Sequence, residues 1–375
     1  MRPFHDVRAQ YLAHRAEIDA ALRAVLESGS YILGATLERF ERAFAEYLGA
    51  AQVVGVASGT AALELALRAL GVGPGDEVAI PALTAVPTAM AAWSVGAVAR
   101  VVDVDLGTFT MDPEALEREL SPAVKAIVPV HLYGGVADMD AIAGIAARRG
   151  IPLIEDAAQA HGALCGTRKA GTLGSIGCFS FYPTKNLGGY GDAGAVATAD
   201  AALAARVARL RSYGGSGGYR YEEPGVNARM DELHAAVLLA KLPQLDAWNE
   251  RRRAHAAAYR ARLAGAPLSL PAERAGSRHV YHQFVVRSPR RDELRAHLAS
   301  RGVATLVHYP EAVHQVAALR PHVRFRSRPE RAERAAREVL SLPIYPELPG
   351  AELERAIGAL LDFPAPAPEG GVGAG

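Results

Sequence analysis

Short apolar runs alternate with helical patterns along the first half of the chain, and this alternation limits the folds that the chain can adopt. The apolar runs lie at residues 53–57, 98–104, 126–130, 152–155 and 178–181. Between them are helix-like stretches and glycine-rich turns, such as AALELALRAL and GVGPGD. Strands that alternate with helices in this way predict an α/β fold with a mainly parallel sheet, covered by helices on both faces.

The rest of the chain adds helices before this region and a second domain after it. Apolar residues at helical spacing predict two amphipathic helices, which end at Gly29 and Gly49. Residues 231–264 predict one or two long helices, bent at Pro243, of the kind that joins domains. A smaller α+β domain is predicted beyond them, with a strand at 279–288, a helix at 291–302 and a strand at 303–310.

These patterns divide the chain into domains. We predict a large domain over residues 1–245, including the N-terminal helices, and a small C-terminal domain over residues 246–362. The final stretch, from Phe363 to Gly375, consists mainly of proline, glycine and alanine with nothing to pack. We therefore predict a disordered tail there.

Charge and cysteine content exclude several classes of function. Lys plus Arg number 41 and Asp plus Glu 40, so a net charge of +1 offers no field that would attract nucleic acid or an anionic membrane. Cys165 and Cys178 cannot form a disulfide framework and lack the spacing of a zinc site, so no metal site is predicted. The N-terminus has no apolar segment of signal-peptide length, and the expected compartment is a reducing cytoplasm.

One uncharged stretch tests the expectation that the chain does not enter a membrane. Residues 78–99 carry no charge over 22 positions, which is long enough to cross a bilayer. However, Pro81 and Pro87 interrupt the stretch, and many of its residues are alanine or polar. We therefore predict a buried strand, a loop and an alanine-rich helix here.

Ligands of open α/β sheets bind beyond the carboxyl ends of the strands, so the residues that follow each apolar run are candidates. Ser58, Gly59 and Thr60 follow the first run and open a helix. Backbone N–H groups, the helix dipole and two hydroxyls can form a phosphate cradle there. The alternative is an ordinary N-cap, since Ser and Thr cap helices in any protein.

Asp156 directly follows the run at 152–155, in the string IEDAAQAHGA. A carboxylate at this strand end, with Gln159 and His161 close behind it, is suited to hold a protonated ring nitrogen or to act as a base. The alternatives are a helix cap for Asp156, surface exposure for Glu155 and a hydrogen-bonded loop histidine for His161.

Lys185 lies in the segment SFYPTKNLGGYGDAG, where glycines let the backbone approach a ligand closely and few local charges can pair with the amine. A confined amine has a lowered pKa and can act as a nucleophile. The alternative is an exposed loop lysine.

Two later segments carry long polar side chains. Asn227 and Arg229 precede a long helix, and His308, Tyr309 and His314 lie in or after a predicted strand. Such side chains can complete a site at a domain or subunit interface, and the histidines lack the spacing of metal ligands.

A phosphate cradle, a strand-end Asp and a segregated Lys together are the parts that pyridoxal phosphate (PLP) requires: a phosphate anchor, a partner for the pyridine nitrogen and a Schiff-base amine. The Asp keeps the ring nitrogen protonated, so that the cofactor can act as an electron sink. The Lys moves a proton between the substrate carbon and the C4′ carbon of the cofactor. These roles are those of a transaminase.

The chain resembles the sugar-nucleotide aminotransferases of the DegT/DnrJ/StrS family, which have the aspartate aminotransferase-type fold (PLP-dependent transferase fold type I) and work as homodimers. The strings IEDAAQAHG and FSFYPTKNLG are highly specific to that family. Further matches such as PFHDVRAQY, VASGTAALELAL and NARMDELHAAVL extend the resemblance over nearly the whole chain.

The resemblance implies roles for individual residues. Lys185 resembles the Schiff-base lysine, Asp156 the partner of the pyridine nitrogen, and Gln159 the residue near the phenolic oxygen of the cofactor. Phosphate ligands are implied at Gly59, Thr60 and Ser180, and at Asn227, which would reach across from the second subunit of the homodimer. Contacts to the hexose are implied at Tyr182, His308 and Tyr309, and also at Tyr31 and His161.

The implied function is PLP-dependent transamination of a nucleotide-linked keto sugar in amino-sugar biosynthesis, with glutamate as the amino donor. The QAHG and YPTKN strings are similar to those of the branch that aminates 3-keto sugars on thymidine diphosphate, so the expected substrate is a dTDP-3-keto-6-deoxyhexose. The alternatives are a 4-keto sugar nucleotide, a keto-cyclitol, and a regulator that binds PLP without catalysis.

Two positions distinguish this chain within the family it resembles. Lys185 separates it from the members that dehydrate their substrates, because those have His at this position. Ala85 departs from the common pattern, since many members have an aromatic residue there that stacks on the cofactor ring. Another group must therefore cover that face of the ring.

Overall fold

The computed structural model describes residues 3–364, and the structural statements below concern these residues. Its helices are α1 (Val7–Ala13), α2 (Arg15–Ser28), α3 (Ala35–Leu48), α4 (Gly59–Ala69), α5 (Val86–Ser94), α6 (Pro113–Glu119), α7 (Met139–Arg149), α8 (Ala201–Leu210), α9 (Glu232–Lys241), α10 (Leu245–Arg262), α11 (Arg291–Ser300), α12 (Glu330–Glu338) and α13 (Gly350–Leu361). Its strands are β1 (Gln52–Val56), β2 (Glu77–Pro81), β3 (Val98–Val102), β4 (Val124–Ile127), β5 (Ile154–Asp156), β6 (Leu164–Cys165), β7 (Arg168–Lys169), β8 (Ile176–Ser180), β9 (Gly194–Thr198), β10 (Gly215–Gly217), β11 (Arg220–Tyr221), β12 (Ser277–Arg278), β13 (Phe284–Arg287), β14 (Val323–Arg324) and β15 (Val339–Leu342).

The central sheet has the strand order β14-β3-β2-β4-β5-β8-β9-β1. Pairing is parallel from β14 to β4 and again between β5 and β8. Isolated parallel bridges, Ile127 with Leu153 and Val130 with Asp156, join β4 to β5. β9 runs antiparallel to both of its neighbours, β8 and β1. The prediction of an α/β fold with a mainly parallel sheet is therefore confirmed.

The sheet is buried on both faces because successive strand residues point to opposite sides. Val54 and Val101 pack into a cluster with α4, α5 and α8, whereas Val53 and Val102 pack into a second cluster with α3, α6, α7 and α9. The predicted N-terminal helices also form, and the second of them ends at Gly49, whose φ of +73° favours glycine.

The C-terminal region builds a smaller core around the antiparallel pair β13 and β15, covered by α10, α11 and α13. The helix bend predicted at Pro243 is present as a short 3₁₀ turn, Leu242–Gln244, between α9 and α10. Residues 312–336 return to the large domain, where β14 pairs with β3. The division of the chain at residue 245 stays a prediction.

Two predictions about the small domain are corrected. The segment 303–310 is not a strand, since only Leu306 bridges to Ser341, and the strand expected at 279–288 is limited to β13. Phe363 is buried against the small-domain core, so the predicted tail does not begin there. The remainder of that tail, 365–375, lies outside the described residues.

The uncharged stretch 78–99 forms most of β2, a loop, α5 and the start of β3, as predicted. Within the part of the chain that the structure describes, no helix combines the length and the apolar character needed to cross a membrane.

Candidate active site

A cavity of about 340 Å³ lies at the carboxyl ends of β5 and β8 and at the N-terminus of α4. This is the position where open α/β sheets bind their ligands. Its lining brings together nine of the predicted site residues: Gly59, Thr60, Asp156, Gln159, Ser180, Tyr182, Lys185, His308 and Tyr309.

The first turn of α4 forms one end of the cavity. Ser58 caps the helix, because its Oγ accepts a hydrogen bond of 3.0 Å from the backbone N–H of Ala61. Gly59 packs against the end of β8, where an added Cβ would lie 2.6 Å from the Cβ of Ser180. Glycine therefore allows the helix to approach Ser180 closely. The N–H groups of this turn and the hydroxyls of Thr60 and Ser180 provide a cradle for an anion.

Asp156 ends β5 and is only 5% exposed. Its Oδ2 accepts a hydrogen bond of 2.8 Å from Thr88 Oγ1, and its Oδ1 one of 3.2 Å from the backbone of Ala158. Burial raises the pKa of the Asp156 carboxyl, while these two donors and the charge of Lys185 act in the opposite direction. The carboxylate keeps acceptor capacity on the side that lines the cavity.

Glu155 is buried on the other side of the strand, because neighbouring strand residues point to opposite faces. The suggestion that it is exposed is wrong. Its oxygens accept backbone hydrogen bonds and contact one imidazole nitrogen, with partners Gly171 (2.7 Å), Leu173 (2.6 Å), Gly174 (2.6 Å) and His131 Nε2 (2.8 Å). Glu155 therefore fastens a loop to β5 and takes no part in the cavity.

Lys185 follows β8 and lines the cavity together with Asp156. Burial lowers the pKa of the Lys185 amine to about 8, although the negative charge of Asp156 opposes this shift. An amine with this pKa exists partly in its neutral form near pH 7, so it can act as a nucleophile and as a base.

The loop that carries Lys185 is held from the helices behind it. Asn186 Nδ2 donates to Asn249 Oδ1 at 2.7 Å and to the carbonyl of Val280 at 3.0 Å. Lys241, 1% exposed, donates to the carbonyl of Gly188. The backbone that directly follows Lys185 is therefore held by hydrogen bonds from distant parts of the chain.

Tyr133 connects the remaining polar residues of the site. Its backbone N–H donates to Gln159 Oε1 at 2.7 Å, and its hydroxyl donates to the carbonyl of His308. Gln159 Nε2 in turn donates to the hydroxyl of Tyr309 at 3.2 Å. Burial lowers the pKa of His308 to about 4 and raises that of Tyr309 to about 12, so both side chains are neutral at physiological pH.

Three residues whose roles the resemblance implied lie outside this cavity, as do the further candidates Arg229 and His314. His161 is fully buried, with its ring centre 5.5 Å from those of Phe179 and Phe181, so within this chain it is a core residue. Tyr31 is exposed, and Asn227 is exposed and bridges to Ser212. The roles given to these three residues stay predictions.

The structure also brings residues to the cavity that the sequence did not single out. These are Thr84, Thr88, Thr184, Asp192, His282 and Gln283. Thr184 and Asp192 belong to the same segment as Lys185. The other four reach the cavity through long-range packing, and no local pattern in the sequence marks them.

These residues fit PLP. The cradle at α4 suits its phosphate, Asp156 suits the pyridine nitrogen, and Lys185 suits the role of the Schiff-base amine. Gln159 lines the same cavity, and its side-chain amide bonds to Tyr133 and Tyr309. The fold and the site thus define a PLP-dependent enzyme of fold type I.

Comparisons with known proteins agree. The sequence profile of the DegT/DnrJ/EryC1/StrS aminotransferase family matches residues 13–361. The dTDP-3-amino-3,4,6-trideoxy-alpha-D-glucose transaminase of Streptomyces venezuelae is 48% identical over 366 residues, covering 96% of each chain. The UDP-N-acetyl-3-dehydro-alpha-D-glucosamine 3-aminotransferase of Acidithiobacillus ferrooxidans is 42% identical and covers 94% of this chain and 95% of its own.

Solved structures give the same result. The crystal structure of S. venezuelae DesV in complex with a ketimine intermediate superposes with a TM-score of 0.94 at 48% identity, covering 96% of this chain and 98% of that chain. The chain belongs to the DegT/DnrJ/EryC1/StrS aminotransferase family and is a PLP-dependent aminotransferase.

Proposed function

We propose that this enzyme transfers an amino group from glutamate to a keto sugar carried on a nucleoside diphosphate, with a dTDP-3-keto-6-deoxyhexose as the sugar. The observation that carries the proposal is the presence of Lys185 and Asp156 in one cavity that His308 and Tyr309 also line. The relatives support the sugar, since the S. venezuelae and A. ferrooxidans enzymes are both named for amination at C3 of a sugar nucleotide.

Each side of the cavity would hold one part of PLP, which when bound supplies the electron sink for transamination. The first turn of α4, Thr60 and Ser180 bind the phosphate. Asp156 holds a proton on the pyridine nitrogen, since a carboxylate in a buried site interacts strongly with an opposite charge. Gln159 donates its amide N–H toward the phenolic oxygen.

Lys185 moves the protons. Its Nζ would take a proton from the α-carbon of glutamate, and bound PLP would supply the C4′ carbon that receives it. With the keto sugar, the same amine carries a proton in the reverse direction. A pKa of about 8 suits both directions, because the acid and base forms are then both populated near neutral pH.

A homodimer with shared active sites, working in the cytoplasm, is part of the proposal. Tyr213, Tyr219 and Tyr221 are exposed around the β10–β11 hairpin, and an exposed aromatic surface of this kind is typical of a binding interface. A second copy of the chain would cover it and would bring Asn227 to the phosphate cradle. The two free cysteines, Cys165 and Cys178, fit a reducing compartment.

The test is turnover by purified enzyme supplied with PLP, glutamate and a panel of keto sugar nucleotides and keto-cyclitols. We expect formation of 2-oxoglutarate and of an amino sugar with a dTDP-3-keto-6-deoxyhexose, and no turnover by Lys185→Ala. Lys125→Ala, at an exposed position in β4, is the matched control and should match the parent enzyme. A Lys185→Ala protein that turns over many equivalents of sugar would contradict the proposal.

A further inference from the structure

His282 and Gln283 lie together on the cavity wall, just before β13. They are 3% and 5% exposed. Among the described residues, His282 Nδ1 and Gln283 Oε1 are buried polar atoms without a hydrogen-bond partner. Buried polar atoms in native proteins are almost always satisfied, and leaving one unpaired is costly. Both residues line the same cavity, so a ligand bound there can supply the missing partners.

The backbone that carries these side chains is held firmly. Gln283 N–H donates to the carbonyl of Tyr133 at 3.1 Å, and Arg252 Nη1 donates to the carbonyls of Tyr281 and His282 at 3.3 and 3.4 Å. Gly134 packs so closely that an added Cβ would lie 2.9 Å from the backbone nitrogen of His282. The subsite is therefore built in advance of ligand binding.

Its neighbours place the subsite on the sugar side of the cavity. Tyr133, which accepts the Gln283 N–H, also donates to Gln159 and to the carbonyl of His308. His308 and its neighbour Tyr309 are the residues expected to contact the hexose. The phosphate cradle is built from other elements, the first turn of α4 and the end of β8.

The chemistry of the two side chains selects an uncharged group. The Gln283 amide carries no charge, and burial together with the positive charges of Lys185 and Arg252 holds the pKa of His282 well below its usual value. Neither of these two side chains offers a positive charge to a carboxylate or phosphate, whereas a hydroxyl can donate to the amide oxygen and can also bond to the imidazole.

We propose that Gln283, supported by His282, is a specificity-determining residue that accepts a hydrogen bond from a ring hydroxyl of the keto sugar. The inference rests on the proposed function and narrows its substrate class to hexoses that keep this hydroxyl. A site built to bond a hydroxyl rejects the analogue that lacks it, because its buried polar groups are then left unpaired.

The experiment compares the parent enzyme with Gln283→Met, which has nearly the same shape and no polar group. Gln52→Leu, at the exposed start of β1, is the matched control. For each protein, kcat/KM is measured with a dTDP-3-keto-6-deoxyhexose and with its 2-deoxy and 4-deoxy forms, and amine transfer from glutamate to PLP is measured alone. Calorimetric binding of the amino-sugar nucleotide to the cofactor-free protein and a melting curve give readouts independent of turnover.

We expect the parent enzyme to discriminate against one of the deoxy sugars by at least about 10-fold, and Gln283→Met to abolish that discrimination by losing about 10- to 100-fold in kcat/KM for the hydroxylated sugar. Binding of the amino-sugar nucleotide should weaken by a similar factor, while the glutamate half-reaction and the melting temperature stay unchanged.

The inference is overturned if the parent enzyme does not discriminate between these sugars, if Gln283→Met keeps the discrimination, or if the variant also loses the glutamate half-reaction. A parent enzyme that accepts glutamate but turns over no keto sugar nucleotide refutes the proposed function itself. That failure is recognised in the parent protein, before any variant is compared.

Discussion

The catalytic cavity and the scaffold behind it each bury a lysine and a carboxylate, with different results. In the cavity, Lys185 and Asp156 line open space and keep polar capacity for a ligand. In the scaffold, Lys241 and Glu155 direct their charged groups to the main chain of two loops. Both pairs place one positive and one negative side chain inside the protein. They differ because only the cavity pair, Lys185 and Asp156, is left free to bond to a ligand.

Lys185 and Lys241 show this difference most clearly. Burial lowers the pKa of Lys241 to about 8, the same value as for Lys185. Yet the Lys241 amine donates to the carbonyl of Gly188 and lies 4.9 Å from the ring centre of Tyr190 and 5.8 Å from that of Trp248. A lowered pKa therefore reports burial, and only access to a ligand cavity makes the amine a catalytic group.

The largest predicted difference is in turnover. Lys185→Met should lower kcat by at least about 10³-fold, because both the nucleophile and the proton carrier are lost. Lys241→Met, of matched size, should keep kcat within about 10-fold, because its amine only positions the loop. Steady-state kinetics of the two variants checks this prediction. Equal losses of kcat would contradict the different roles given to the two lysines.

The carboxylates should separate activity from stability. Asp156→Asn should lower kcat by about 10²- to 10⁴-fold at an unchanged melting temperature, since it removes the charge that faces the cofactor. Glu155→Gln should lower the free energy of unfolding by about 2–4 kcal/mol, because the charged acceptor of several buried hydrogen bonds is lost. Steady-state kinetics and denaturant unfolding of both variants check this prediction. A large loss of kcat in Glu155→Gln together with a loss of stability in Asp156→Asn would contradict it.

The smallest effect concerns stability against pH in the cofactor-free protein, where the two lysines should behave alike. Each has a folded-state pKa of about 8 and an ordinary value of 10.5. Between these values the unfolded state binds more protons, so the free energy of unfolding rises with pH, by about 1–3 kcal/mol per lysine. Lys185→Met and Lys241→Met should each remove one such rise. If only one variant loses it, the lysines are not buried alike.

The sequence predicted the parts of the site that follow strands directly. Asp156 and Lys185 could be found because apolar runs place them at carboxyl ends of strands, and glycines mark the close approach at Gly59. Glu155 could not be distinguished from an exposed residue, since its partners lie in a loop whose course depends on tertiary packing. The specific strings around Asp156 and Lys185 also indicated the family.

Residues that reach the cavity through long-range contacts could not be predicted, because no local sequence pattern marks them. Gln283 reaches the cavity through a backbone bond to Tyr133, 150 positions earlier in the chain, and Thr88 reaches Asp156 from α5. The strand predicted at 303–310 fails for a related reason: its apolar alternation is present, but only Leu306 finds a strand partner. Within this segment only Val303 is buried, and Leu306 is 42% exposed.

The most direct test of the central claim is to locate the lysine that bonds to PLP. The chain has four lysines, Lys125, Lys169, Lys185 and Lys241. The protein loaded with PLP is reduced with borohydride, digested, and its peptides are mapped by mass spectrometry. The account predicts the added mass on the peptide that contains Lys185 and on no other. Labelling of Lys241, whose pKa is also lowered to about 8, or labelling of no lysine would contradict it.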